Sequence, residues 1–142
     1  MNVEAILSRK GADVVTVASD CPVTEVARIL CEHRIGAVVV RDDEVICGVM
    51  SERDVVRALC HHGAETLALK ASDLMTREVL SCRLRDAVDH LMALMTDRHI
   101  RHLPVIEDGR LLGIISIGDV VKNKIRETEY EAEAMRSYIA SG

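Results

Sequence analysis

Gly48-Val49-Met50-Ser51-Glu52-Arg53-Asp54 and Gly113-Ile114-Ile115-Ser116-Ile117-Gly118-Asp119 share one form: a glycine, two apolar residues, a serine, two variable residues and an aspartate. The two stretches lie 65 residues apart. At that shift Asp13–Leu59 falls on Glu78–Lys124 without a gap, and ten of the 47 pairs are identical. They are Val14/Val79, Val23/Val88, Ile35/Ile100, Val40/Val105, Asp43/Asp108, Gly48/Gly113, Ser51/Ser116, Asp54/Asp119, Val55/Val120 and Val56/Val121. Most other apolar positions match in kind. The chain therefore holds two copies of one unit, which governs the reading of every local motif.

Each copy opens on a short aliphatic strand, Val14–Ala18 or Val79–Cys82. A helix follows. In the first copy Pro22 stands at its entrance, where a missing N–H costs nothing, and Val23, Val26, Ala27 and Leu30 form one stripe. In the second, Asp86 precedes the start, and Val88, Leu91, Met92 and Met95 share a face. A hairpin comes next. Ala37–Val40 turns through Asp42-Asp43-Glu44 into Val45–Met50, and Leu103–Ile106 turns through Glu107-Asp108-Gly109 into Arg110–Ile115. Asp-Gly is a strong hairpin signal. A last helix begins after Ser51 and after Ser116. The class is α+β, ordered β-α-β-β-α twice over.

Val38-Val39-Val40 and Gly113-Ile114-Ile115 lack polar alternation, as strands covered on both faces do. Helices of the same unit cover only one face, so the two units should pack sheet against sheet, and neither should be stable alone. The domain plan is residues 1–62 for the first repeat with an N-terminal turn at Val3–Leu7, and 63–77 for a linker with a helical turn at Ala71–Met75. The second repeat is 78–124, and 125–142 is a helical extension. In that extension Val121, Ile125, Thr128, Ala132, Met135 and Ile139 form a seam. The seam fits either a helix lying on its own domain or a contact to another chain.

Composition narrows the function. The 142 residues carry a net charge of −5, and their aromatic residues are Tyr130 and Tyr138 alone. An acidic chain without stacking platforms does not suit nucleic acid. No apolar run approaches a membrane span, and Met1–Lys10 lacks the features of a signal peptide. Five cysteines, an odd count without a CxxC pair, suit free and mostly buried thiols in a cytoplasmic protein.

Within the doubled motif the serine is placed to cap a helix, whose free N–H groups and dipole make an anion site. The aspartate lies one turn in and can accept two hydrogen bonds from a ribose diol. A single Ser-x-x-Asp is an ordinary capping box, but two in register, each after a Gly-started apolar strand, favour a ligand. Cys60-His61-His62 has no standard metal-ligand spacing. His33 and His99, near helix ends, fit dipole partners. No nucleophile-elbow motif is present, and nothing points to an enzyme.

The doubled Gly-x-x-Ser-x-x-Asp, the Ser72-Asp73-Leu74-Met75-Thr76 linker and Arg98-His99-Ile100-Arg101-His102-Leu103-Pro104-Val105 resemble the CBS-domain family, named after cystathionine β-synthase. The resemblance is to a stand-alone tandem pair, or Bateman module. It implies pseudo-two-fold symmetry, a homodimer, and clefts between the repeats for an adenosyl ligand. AMP is the first expectation, with ADP, ATP, NAD(H) and S-adenosylmethionine as others, and no cofactor is required. Occupancy would be signalled to a partner such as an enzyme or transporter. By position, one cleft would use Ser51, Arg53 and Asp54 with Leu80, Ser81, Arg101 and His102. The other would use Ser116 and Asp119 with Asp13, Val15, Gly36 and Ala37. Asp54 and Asp119 would hold ribose, Ser51 and Ser116 would face phosphate, and apolar side chains would sandwich adenine. Cationic donors suit phosphate, so the cleft with Asp54, Arg101 and His102 should bind a phosphorylated ligand more tightly. Neighbours on a strand face opposite ways, which favours Arg101 over His102 unless the strand starts between them. The alternative is a structural or interaction module whose clefts take no nucleotide.

Overall fold

A computed structural model describes residues 1–141. The elements are α1 (Val3–Lys10), β1 (Thr16–Val17), α2 (Val23–His33), β2 (Ala37–Asp42), β3 (Val45–Ser51), α3 (Glu52–His62), a 3-10 turn (Gly63–Ala68), α4 (Ala71–Leu74), α5 (Val88–Arg98), β4 (His102–Glu107), β5 (Arg110–Ser116) and α6 (Ile117–Ser141). The first sheet has the order β1-β2-β3, and the second is the β4-β5 hairpin. The duplication is visible in the register. Ala37 pairs with Ser51 as His102 pairs with Ser116, and both hairpins shift register at the same place, after Val40 and Val105. Asp43, Asp108 and Gly109 have positive φ (53°, 50° and 76°), as tight hairpin turns require.

The opening strands are shorter than the sequence suggests. Val14–Ala18 contributes Thr16–Val17, parallel to β2. Val79–Cys82 forms no strand. It makes one parallel bridge, Cys82 to Val105, through N–H bonds from Cys82 to Pro104 O and from Ile106 to Cys82 O, both 2.9 Å. Asp86 does not cap α5; its carboxylate accepts from the Arg83 N–H, and Ala87 holds the cap position.

Val38, Val39 and Val40 are all fully buried, as are Leu103 and Val105, with Pro104 between them. Val38 and Val40 join Met50, Val23, Val26 and Leu30 in the core beneath α2. Leu103 and Val105 join Ile115, Val88, Leu91 and Met95 beneath α5. Alternation turns Val39 and Pro104 to the opposite faces. Their burial shows that each sheet is covered on both sides, as packing of one unit on the other demands.

The short helices before each unit pack across the duplication. α1 sends Val3, Ile6 and Leu7 into the second repeat's core, and Ala71 and Met75, at the ends of α4, enter the first repeat's core. The N-terminal helix thus completes the second unit, although it precedes the first. Its attachment is backbone as well: Val3 N–H donates to Asp86 O and Glu4 N–H to Leu84 O, at 3.0 and 2.9 Å. The motif glycines sit under these helices. A Cβ at Gly48 would lie 2.7 Å from the Thr76 carbonyl oxygen, and one at Gly113 would lie 2.7 Å from Leu7 Cδ2.

The expectation of mostly buried thiols needs correcting. Only Cys82 is buried; Cys21 and Cys47 are half-buried, and Cys31 and Cys60 are exposed. Burial, with Asp86 adding to it, pushes the Cys82 thiol up to about 12. The C-terminal seam does not lie on its own domain. Every described residue from Glu129 onward is exposed, with Met135 and Ile139 at 61% and 70%.

Candidate functional site

One cleft lies between the repeats. The start of α3 supplies Ser51, Glu52, Arg53, Asp54 and Arg57. The linker supplies Thr76, Glu78, Val79 and Leu80, and the approach to β4 supplies His99, Ile100, Arg101 and His102. With Gly36 and Val49 these residues bound about 800 Å³ of empty space, part of it continuous with solvent.

Ser51 and Asp54 form a capping box. Asp54 Oδ2 accepts from the Ser51 N–H at 2.8 Å and from Ser51 Oγ at 3.2 Å. The cap therefore uses one carboxylate oxygen. Among the described residues Oδ1 makes no hydrogen bond. Arg53 reaches across the repeats and donates to His99 O at 3.1 Å. That carbonyl is presented because His99 ends α5 in the left-handed region, φ 54°. His99 thus serves as the turn of the chain rather than as a dipole partner within the last helical turn.

β4 begins at His102, so the strand does start between Arg101 and His102, and both line the cleft. His102 lies so close to Gly36 that a Cβ there would be 2.9 Å from its Cε1. Burial lowers the imidazole's pKa below its ordinary value, against an opposite pull from Glu52.

Of the residues assigned to this cleft from sequence, Ser51, Arg53, Asp54, Leu80, Arg101 and His102 come together. Ser81 is exposed and stands outside the lining. The sequence reading missed Arg57, Glu52 and Glu78. Arg57 had a signal, since it follows Arg53 by one helical turn. The two glutamates had none.

The residues assigned to the other cleft do not line one pocket together, although Gly36 abuts His102, whose imidazole is near enough to Asp119 and Lys10 to feel their charges. Gly36 lines the first cleft, Ala37 is buried, Val15 packs on the first core and Asp13 is exposed. Ser116 and Asp119 repeat the capping box, with Ser116 N–H donating to Asp119 Oδ2 at 2.8 Å and Asp119 N–H to Ser116 Oγ at 3.2 Å. Lys10 Nζ sits 2.7 Å from the same Oδ2 and 2.8 Å from Ile114 O. Burial raises the Asp119 pKa, but the bonds from Lys10 and Ser116 outweigh it and hold the carboxyl below its ordinary value. Asp119 lines a groove with Ile6, Arg9, Lys10, Lys122, Asn123 and Arg126 instead. Among the described residues no cluster of His, Cys, Asp and Glu could hold a metal, and no helix is long and apolar enough to cross a membrane.

A duplicated unit of helices and a β-hairpin, with a cleft between its copies, defines a tandem pair of small α+β domains. The sequence model of the CBS domain matches residues 3–61 and 71–126, and the chain belongs to the CBS-domain family. It is similar to the crystal structure of the CBS-domain-containing protein ATU1752 from Agrobacterium tumefaciens, with 49% identity, TM-score 0.86, and 87% and 99% of the two chains covered. It is also similar to the CBS domain pair of protein MJ0100, solved in complex with 5′-methylthioadenosine and S-adenosyl-L-methionine. There identity is 26% and TM-score 0.79, over 89% and 98% of the chains. Among curated proteins, the mitochondrial CBS-domain-containing protein CBSX3 of Arabidopsis thaliana is 33% identical over 129 residues, 87% of this chain. The chain spans 63% of that plant protein's length.

Proposed function

We propose that this CBS pair is a regulatory sensor that binds one adenosyl ligand in the Asp54 cleft and signals its occupancy to a partner protein. The observation that carries the reading is the uncommitted Oδ1 of Asp54, set among cationic and apolar groups in a cleft between the repeats. Ribose hydroxyls donate to Oδ1, and adenine lies among Val49, Val79, Leu80 and Ile100. The 5′ substituent points to Arg101, Arg57 and His102, which suits the phosphate of AMP. The adenosyl complexes of the MJ0100 pair support the ligand class.

Glu52 and Glu78 favour a second reading of the ligand. They balance the guanidinium charges, and a cationic 5′ group such as that of S-adenosylmethionine would meet them. Calorimetric titration of AMP, S-adenosylmethionine and 5′-methylthioadenosine separates the two. For the ligand that binds, Asp54→Ala is expected to weaken affinity roughly 10- to 100-fold, the worth of a hydrogen bond to a charged group. Arg101→Ala should weaken AMP but not methylthioadenosine. Unchanged affinity in both variants would overturn the site assignment, and no binding of any of the three would favour a purely structural module.

The partner surface includes Val56 and its repeat counterpart Val121, exposed at 65% and 45% on α3 and α6. We propose that these two faces meet those of a second copy in a homodimer.

A further inference from the structure

The two halves differ at one place that the duplication does not predict. Asn2 bridges Ala87 as Lys70 bridges Pro22, and Leu7 lies under Gly113 as Met75 lies under Gly48. Beyond those matching anchors the chains part. After Met75, Thr76 pairs with Val49: its N–H donates to Val49 O at 2.9 Å and its carbonyl accepts from Val49 N–H at 3.1 Å. The chain then lines the Asp54 cleft with Glu78, Val79 and Leu80. After Leu7 the helix instead continues through Ser8 and Arg9 to Lys10, and Gly11 ends it at φ 93°.

Lys10 takes over the position that the Thr76 N–H holds in the other half. Its ammonium donates to Ile114 O, the repeat counterpart of Val49 O, at 2.8 Å. It also reaches Asp119, the counterpart of Asp54, at 2.7 Å. α1 holds it there, because Val3, Ile6 and Leu7 are buried and the Gly11 N–H caps Leu7 O at 2.8 Å.

We propose that Lys10 is a built-in occupant of the Asp119 site, so that the pair takes one adenosyl ligand, not two. The ammonium of Lys10 is the determinant of that stoichiometry. This rests on the reading of the Asp54 cleft given above. Lys10 bonds Oδ2, the oxygen the cap already uses, and among the described residues Asp119 Oδ1 makes no hydrogen bond; a ribose there is weakened to the extent that the tethered ammonium, held by two acceptors, must move aside to admit it. The Asp54 site carries no such tax, because the equivalent chain position is backbone that stays paired with Val49.

The test is a calorimetric titration of the intact chain with AMP and, separately, with 5′-methylthioadenosine, which carries no phosphate. The proteins are wild type, Lys10→Met, Asp54→Ala and the double variant, with Lys10→Gln as a second opening variant. Matching unfolding midpoints check that each is folded, as expected for a side chain 30% exposed. At ligand concentrations too low to fill a site weakened roughly 10- to 100-fold, wild type is expected to bind one equivalent, Lys10→Met two, Asp54→Ala none and the double variant one. Adding Asp119→Asn to the double variant should abolish that last equivalent. If Lys10→Met and Lys10→Gln still bind one equivalent and the double variant none, the role of Lys10 is refuted while the Asp54 reading stands. Two equivalents in wild type refute it likewise. No binding in wild type with one equivalent in Lys10→Met supports the Lys10 proposal and sinks the Asp54 reading. No binding in any protein sinks both.

Discussion

Gly48 and Gly113 hold the same place in the two repeats, yet an added methyl group meets a fixed backbone carbonyl in one and a rotatable leucine in the other. Gly48→Ala is therefore expected to cost about 1–3 kcal/mol, the usual toll of overpacking, and Gly113→Ala distinctly less. Urea denaturation compares them, and equal losses would contradict the packing described. The glycines were legible as part of a motif, but their reason was not. It lies in helices 27 residues downstream of one and 106 residues upstream of the other, at Met75 and Leu7. His102 gives a second prediction at this scale. Its pKa is lowered by burial, so the unfolded chain binds the proton first as pH falls. Stability should be complete above about pH 6.5, the ordinary histidine value, and decline through the folded value below it. A bound phosphate reverses the preference, so AMP affinity should rise below about pH 6.5 while methylthioadenosine affinity should not. Titrations at a series of pH values check both. Asp54 and Ser51 were legible because motif and capping geometry coincide. The capture of Asp119 by Lys10 was not, because a salt bridge across 109 residues leaves no periodic trace.

At the scale of elements, the helices and hairpins followed from their stripes and turn residues, and the lengths of the opening strands did not. Val79–Cys82 has strand-forming residues but receives only one bridge, since propensity yields to the partner available. The short helices carry more weight than their size suggests. Asn2 caps α1, with its side chain accepting from the Ala5 N–H at 3.1 Å. Asn2→Ala should cost about 1 kcal/mol. The loss should appear in the second repeat: hydrogen exchange should quicken at Leu91 and Leu103, which share the α1 core, before it quickens at Val26 and Val38. Faster exchange in the first repeat alone would contradict the crossed packing. The 3-10 turn at Gly63–Ala68 went unread because its sequence has no apolar period.

For the whole molecule, the duplication was the most legible feature, because a shift of the sequence against itself needs no knowledge of contacts. Val56 and Val121 are identical and exposed in both copies, and the proposed homodimer would cover both. Val56→Asp with Val121→Asp should lower the sedimentation mass toward that of one chain, with little change in unfolding midpoint if the residues contact only a second copy. The crossed placement of α1 and α4 also sets an order of assembly on the ribosome. The first repeat cannot close its core until Met75 has emerged, and α1, the earliest of these helices to be made, has no sheet to dock on until Ile115 follows. Until Ile115 emerges, the nascent chain carries an amphipathic helix with its apolar side bare, and that helix must return to a strand made a hundred residues later.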